Sequence, residues 1–410
     1  MKSDRRVAVE VLVIGAGPAG SVAAALLCQQ GRQVLVLERE RFPRFSIGES
    51  LLPQSMDYLE QAGMLRAVQE AGFQLKNGAV FARGQQLTEV DFSDKYSAGW
   101  STTYEVERAR FDQLLALEAE RQGAEVYYGH AIVAVDMSGP RPRATVKDSS
   151  GGEYLVEAEF ILDASGFGRV LPRLLQLETP STFPVRTSIF THVEDGIISS
   201  EFDRNKIRIT VHPANQAVWY WLIPFAAGRS SIGVVAEASF LARYAGDQTG
   251  RLQALIGEDP SLSRLLENAS WDTSARQIIG YSANVKALWD RGFALLGNAG
   301  EFLDPIFSSG VTIAFKSAGL AAAVLGRQLA GETVDWQQEF AVPLKCGVDT
   351  FRAFVESWYR GGFQRIIFHA NPPREVRRMI SAILAGYAWD RSNPYVRDTE
   401  RRLVALEELC

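Results

Sequence analysis

The chain has 410 residues, 47% hydrophobic and 22% charged, the balance of a globular enzyme with room for more than one domain. Its 43 basic residues against 48 acidic ones, net −5, lack the basic surplus that nucleic-acid binding needs. No apolar run is expected to reach the roughly 18–20 residues that span a bilayer. The polar stretch Met1 to Glu10 lacks a secretory core. Cys28, Cys346 and Cys410 show no CxxC or CxxH spacing, so they read as unpaired thiols in a reducing cytoplasm, with no disulfide frame and no metal site.

In chain order, Val11 to Ile14 is a short apolar strand of the kind covered on both faces. The turn Gly15-Ala16-Gly17-Pro18-Ala19-Gly20 follows, then a small-residue helix to Gln30 and a second strand, Gln33 to Leu37, ending at Glu38. Arg39 to Pro53 is a loop. Phe111 to Gln122 has helical spacing and Val126 to Val135 reads as strand. Ala144 to Ile161 reads as a hairpin about Ser149-Ser150-Gly151-Gly152. Residues 185–235 are rich in β-branched and aromatic residues, which predicts a larger antiparallel sheet. Phe293 to Leu296 is another buried strand, Val311 to Leu329 a long helix, and 336–410 mostly helical.

The expected fold is therefore mixed α/β in two domains. A discontinuous Rossmann-like nucleotide domain comes from 1–75, 105–175 and 285–335. An inserted sheet-rich substrate domain comes from 76–104 and 176–284, and 336–410 forms a helical C-terminal region.

The spacing Gly15, Gly17, Gly20, between a strand and a helix, points to a dinucleotide. Each glycine removes a side chain where the turn, the pyrophosphate and the helix–strand contact need room. The helix start at Pro18 and Ala19 offers amides and a partial positive charge to phosphate. Glu38, closing the second strand, can accept from ribose hydroxyls and would repel a 2′-phosphate. Arg39 follows it in the same corner.

Further segments resemble the FAD-dependent aromatic hydroxylase superfamily, which includes the flavin-dependent halogenases and geranylgeranyl reductases. Val106 to Asp112 resembles the segment whose arginine, here Arg108, approaches FAD. Leu162-Asp163-Ala164-Ser165-Gly166-Phe167-Gly168-Arg169 resembles the second, Asp-Gly-containing motif. Leu296-Gly297-Asn298-Ala299-Gly300-Glu301-Phe302-Leu303-Asp304-Pro305 resembles the third, with asparagine at 298 where aspartate is usual. The resemblance implies FAD as cofactor, bound by Asp163, Gly166, Gly297, Asn298 and Pro305 together with the opening turn.

Four features resemble the halogenases in particular. Phe42 to Pro53 is similar to the loop beside the flavin, with Glu49 and Ser50 expected to touch FAD. Trp219-Tyr220-Trp221-Leu222-Ile223-Pro224 fits the WxWxIP pattern. Phe307-Ser308-Ser309-Gly310 resembles the halide-holding turn, which would place halide at the amides of Ser309 and Gly310. Phe73 to Ala79 resembles the segment carrying the catalytic lysine, here Lys76. The resemblance implies that reduced FAD, oxygen and halide yield hypohalous acid, which the lysine guides to an electron-rich carbon.

By pattern alone, Trp219 and Trp221 are equally core aromatics, Lys76 equally a solvated lysine, and Ser308 to Gly310 equally an ion-free helix cap. His192 and His212 read as satisfied sheet residues. Phe307 stands where tryptophan halogenases carry glutamate, which points away from free indole. It points instead toward phenolic, pyrrolic or polyene-type groups, free or on a carrier protein. With no second dinucleotide motif visible, reduction falls to a separate flavin reductase or to transient NAD(P)H. The alternatives are a monooxygenase or dehydrogenase, a geranylgeranyl-reductase-like enzyme, or a silent flavin-binding partner. The moderately basic stretch Phe363 to Trp389 is expected to pack on its own domain.

Overall fold

The computed structural model describes residues 6–200 and 202–410; residues 1–5 of the expected polar N-terminus and Glu201 lie outside the described residues. Two large sheets organise the chain. The first has eight strands, and its spine runs Trp289–Asp290, Phe293–Leu295, Glu153–Asp163, Arg6–Ile14, Val34–Glu38, Glu125–Tyr128. From Phe293–Leu295 to Glu125–Tyr128 every neighbouring pair is parallel. Parallel pairs need crossovers that cover the faces. Here these include the helices Pro18–Gln29 and Arg108–Arg121, and Val11 to Ile14 are correspondingly buried. Arg143–Lys147 folds back on Glu153–Asp163 as the expected hairpin.

The second sheet has seven strands in the order Arg276–Ile279, Thr187–Glu194, Arg229–Ala236, Asn215–Pro224, Lys206–His212, Gly78–Arg83, Gln86–Asp91. It is antiparallel except where Lys206–Val211 runs parallel to Gly78–Arg83. That pair joins the early segment to the later one. A small third pairing, Gln74–Lys76 with Thr103–Glu105, lies between the two sheets in sequence.

One face of the second sheet shares a core with the first domain and the C-terminal helices. Trp219, Trp221 and Phe81 belong to that core, together with Phe307, Phe354 and Trp358. The next residues along the strand, Tyr220 and Leu222, point into a separate cluster on the opposite face, as the two-residue period requires. The helices Val342–Arg360 and Gly362–Ile367 close the shared core over the ring of Phe307, which meets Phe354, Trp358 and Phe363 edge-on.

One expectation needs correction. The helix Ser309–Leu329 is long and apolar enough by composition to cross a bilayer. Its small residues let it pack closely on Pro18–Gln29, so most of it is buried core. His192 is, as read, a sheet residue with its polar atom satisfied; the partner comes from outside the sheet, Glu49 in the early loop, with Nε2 and Oε1 2.5 Å apart. His212 does stay within its own domain, against Glu258 and the ring of Tyr220. The basic stretch also packs on its own chain, with Arg374, Arg377 and Arg378 converging on Asp94.

Candidate active site

The opening turn is built by close backbone approach. Gly15 has φ +94°, and a Cβ there would lie 2.8 Å from the Ala164 carbonyl oxygen. A Cβ on Gly20 would lie 1.9 Å from the Gly15 oxygen. No side chain caps the helix that begins at Pro18 and Ala19. Glu38 accepts from the Ala16 amide at 2.9 Å, which ties the acid to the turn. Arg39 stays largely exposed, paired with Glu40.

Arg44, which the sequence reading did not single out, stands over this turn. Its Nη2 would be 3.4 Å from a Cβ on Gly17, and its Nη1 donates to Asp112 at 3.0 Å. The fully buried Asp112 also takes two bonds from Arg108, which reaches on to the Ile47 carbonyl at 2.6 Å. One carboxylate thus fixes two arginines beside the loop.

Asp163 ends a central strand, and its carboxylate accepts from the amides of Ser165 and Leu171. Its side chain holds the Gly166 turn, itself at φ +58°. Arg169, at φ 45°, is a second residue the sequence reading passed over. It donates to the carbonyls of Asn298, Gly300 and Asn284, so the second and third motifs are clamped together.

In the third motif, Gly297 packs against Ala314, and its amide donates to Ser317 Oγ. Asp304 is buried, and its carboxylate accepts from the Ile306 amide at 3.0 Å and the Tyr359 hydroxyl at 2.9 Å. Burial pushes this acid up to about 6, against those two donors. Trp219 Nε1 donates to the same Tyr359 oxygen at 3.0 Å. Trp219, Tyr359 and Asp304 therefore link the tryptophan strand to the third motif through a C-terminal helix. Trp221 donates to Ser231 Oγ and fills the space above Gly233.

Past Pro305 the chain turns at Ser308, φ 56°, and the helix Ser309–Leu329 starts without a side-chain cap. A Cβ on Gly310 would press to 3.2 Å from the Phe302 ring, so glycine lets that ring pack closely on the helix start.

Lys76 is 1% exposed. Its Nζ donates to Ser50 Oγ at 2.6 Å and to the Leu51 carbonyl at 2.8 Å. Burial lowers its pKa to about 8, while the nearby Glu105 pulls the other way. Backbone pairing of Ser50 with Glu105, and of Lys76 with Thr103, brings three chain segments to one point.

These residues fit a flavin dinucleotide. The glycine turn is a cradle that a single Cβ would fill, two helix starts lack side-chain caps, and buried oxygens of Glu49 and Glu105 lack protein partners.

Comparison with known proteins agrees. The FAD binding domain family model matches residues 8–246. The chain belongs to this family, and it binds FAD. A solved flavoprotein/dehydrogenase structure from Cytophaga hutchinsonii superposes with TM-score 0.95 at 42% identity, covering 98% of each chain. A tryptophan 2-halogenase from Chondromyces crocatus is 31% identical over 79% of this chain and 62% of its own length. A 1H-pyrrole-2-carbonyl peptidyl-carrier-protein chlorinase from Pseudomonas fluorescens is 25% identical over 97% of this chain and 94% of its own. The chain thus spans less than two thirds of the tryptophan 2-halogenase.

Proposed function

We propose that this flavoprotein halogenates an electron-rich aromatic, pyrrolic or polyene-type group. Reduced FAD supplies, when bound, the electrons with which oxygen converts halide into hypohalous acid. The protein's own part divides among the residues above. The uncapped helix start at Ser309 and Gly310 offers amides and the positive end of a helix to halide. The buried lysine, near 8, has both its ammonium and amine forms within reach around neutral pH. As ammonium it can hydrogen-bond the hypohalous oxygen; as amine it can carry the halogen. Trp219, Trp221 and the rings around Phe307 form an apolar, water-excluding wall suited to an aromatic guest.

The single observation that carries this reading is the full burial of Lys76, held by Ser50 and Leu51 in the loop predicted to lie beside the flavin. Phe307 occupies an aromatic cluster and brings no carboxylate, which supports a substrate other than free tryptophan. The pyrrole chlorinase, similar over nearly the whole chain, supports a carrier-bound group as one class to test. Reducing equivalents come from a separate flavin reductase or from transiently docked NAD(P)H, and the three free thiols suit a reducing cytoplasm.

The test supplies FADH2, oxygen and bromide to the wild type and to Lys76→Ala, with a phenol panel and a carrier-bound pyrrole. Brominated product from the wild type alone is expected. Absence of product from every substrate, or equal product from Lys76→Ala, overturns the reading. A second reading, dehydrogenation, rests on the 42% identical flavoprotein/dehydrogenase. Substrate-dependent flavin reduction that ignores halide would favour it.

A further inference from the structure

Two buried carboxylates lie near Lys76. Glu49, in the loop, has His192 as partner at 2.5 Å. Glu105 is 0% exposed, and neither of its oxygens has a hydrogen-bond partner in the protein. An unpartnered buried carboxylate is costly, more so when charged. Such a group persists where another role holds it.

Strand geometry indicates the role. In the antiparallel pair, Lys76 lies opposite Thr103 and Gln74 opposite Glu105. Residues two apart share a face, so Lys76 and Glu105 stand as diagonal neighbours on one side of the ribbon. On the other edge, the backbone of Glu105 pairs with Ser50, whose hydroxyl accepts from Lys76 Nζ.

We propose that Glu105 is the proton partner of Lys76, a positioning residue that sets how much of the lysine is charged during turnover. The exchange is internal and runs through the Ser50 hydroxyl, which accepts from Lys76 Nζ and acts as a donor toward Glu105: ammonium and carboxylate become amine and carboxylic acid, with no outside acid or base. The midpoints agree in direction, since burial raises Glu105 to about 7 and lowers Lys76 to about 8, while each charge opposes the other's shift.

The remaining groups around the pair are accounted for. The Phe92 ring lies 5.6 Å from Nζ, and Thr103 and Asn77 are neutral. Lys206, beside Gly78, is neutralised by Asp203 and Glu89. Glu49, held by His192, adds a like charge that raises Glu105, and the Ser50 hydroxyl lowers it; no cation other than Lys76 acts on this carboxylate among these neighbours.

The proposal rests on Lys76 being the reactive lysine, but its test does not need halogenation. The chain has eight lysines, so Cε-labelled lysine in the FAD-loaded protein gives few resonances, and Lys76→Met assigns the one of interest. Its titration midpoint is expected to fall by about one unit, tenfold in proton affinity, in Glu105→Gln. Glu105→Asp, which keeps the charge one methylene further back, should give a smaller fall, and Thr103→Ala none. If Glu105→Gln does not hold FAD, the Asp variant decides in the same direction. An unchanged midpoint overturns the proposal. A shifted midpoint in a protein that halogenates nothing leaves the proton pair standing and removes the proposed activity. Where product forms, the high-pH limb of its rate profile moves down in step with the midpoint.

Discussion

The glycine turn and the buried surroundings of Lys76, called here the lysine chamber, both lie inside the molecule, yet they are made differently. The turn is backbone against backbone, with Gly15 on Ala164 and Gly20 on Gly15, and with Glu38 tied to the Ala16 amide. The chamber is side chains brought from three separated segments, and several of its polar atoms have no protein partner. A close-packed turn tolerates no added atom.

Substitution tests that contrast directly. Gly20→Val places carbon where 1.9 Å separates it from the Gly15 oxygen. Flavin absorbance should be absent from the purified protein, and retention of FAD would erase the difference between the two regions. Lys76→Ala should keep its FAD and lose product by about 10²- to 10⁴-fold, the range for a positioned proton-handling group. Loss of FAD instead would make the chamber structural. Tyr359→Phe comes next. It leaves Asp304 short of one donor and Trp219 Nε1 without its acceptor, at a cost of about 1–3 kcal/mol in denaturant unfolding. Tyr281→Phe, whose hydroxyl sits 3.5 Å from Asp304, should cost less.

The smallest effect is a pH dependence. Glu105 is raised from 4.5 to about 7, so the folded state binds more protons than the unfolded one between those values. Its contribution to stability therefore falls as pH rises across that window. Lys76 is lowered from 10.5 to about 8, so the unfolded state holds more protons from 8 to 10.5, and its contribution rises with pH there. Denaturation midpoints measured across pH should lose the first limb in Glu105→Gln and the second in Lys76→Met.

Legibility in the sequence follows the same division. The turn, the hairpin about Gly151 and the long helix after Pro305 are set by local spacing, and the residues that carry them could be named in advance. The halogenase-like segments were likewise visible as short contiguous strings. Arg44, Arg169, Tyr359, Glu105 and the His192–Glu49 contact were not, because each depends on pairing between distant segments. One signal was available for Arg169 and Glu105: both lie within, or just before, the quoted motifs. The parallel pairing of Lys206–Val211 with Gly78–Arg83 was equally hidden, since β-branched composition gives strands but not their direction.

The link between flavin, halide and lysine is tested most directly by diffraction at the bromine absorption edge from crystals of the FAD-loaded protein in bromide. An anomalous peak within hydrogen-bond reach of the Ser309 and Gly310 amides, beside the flavin and open through the protein to Lys76 Nζ, is the expected result. Bromide absent from that helix start, with Lys76 walled off from the flavin by packed side chains, would contradict it.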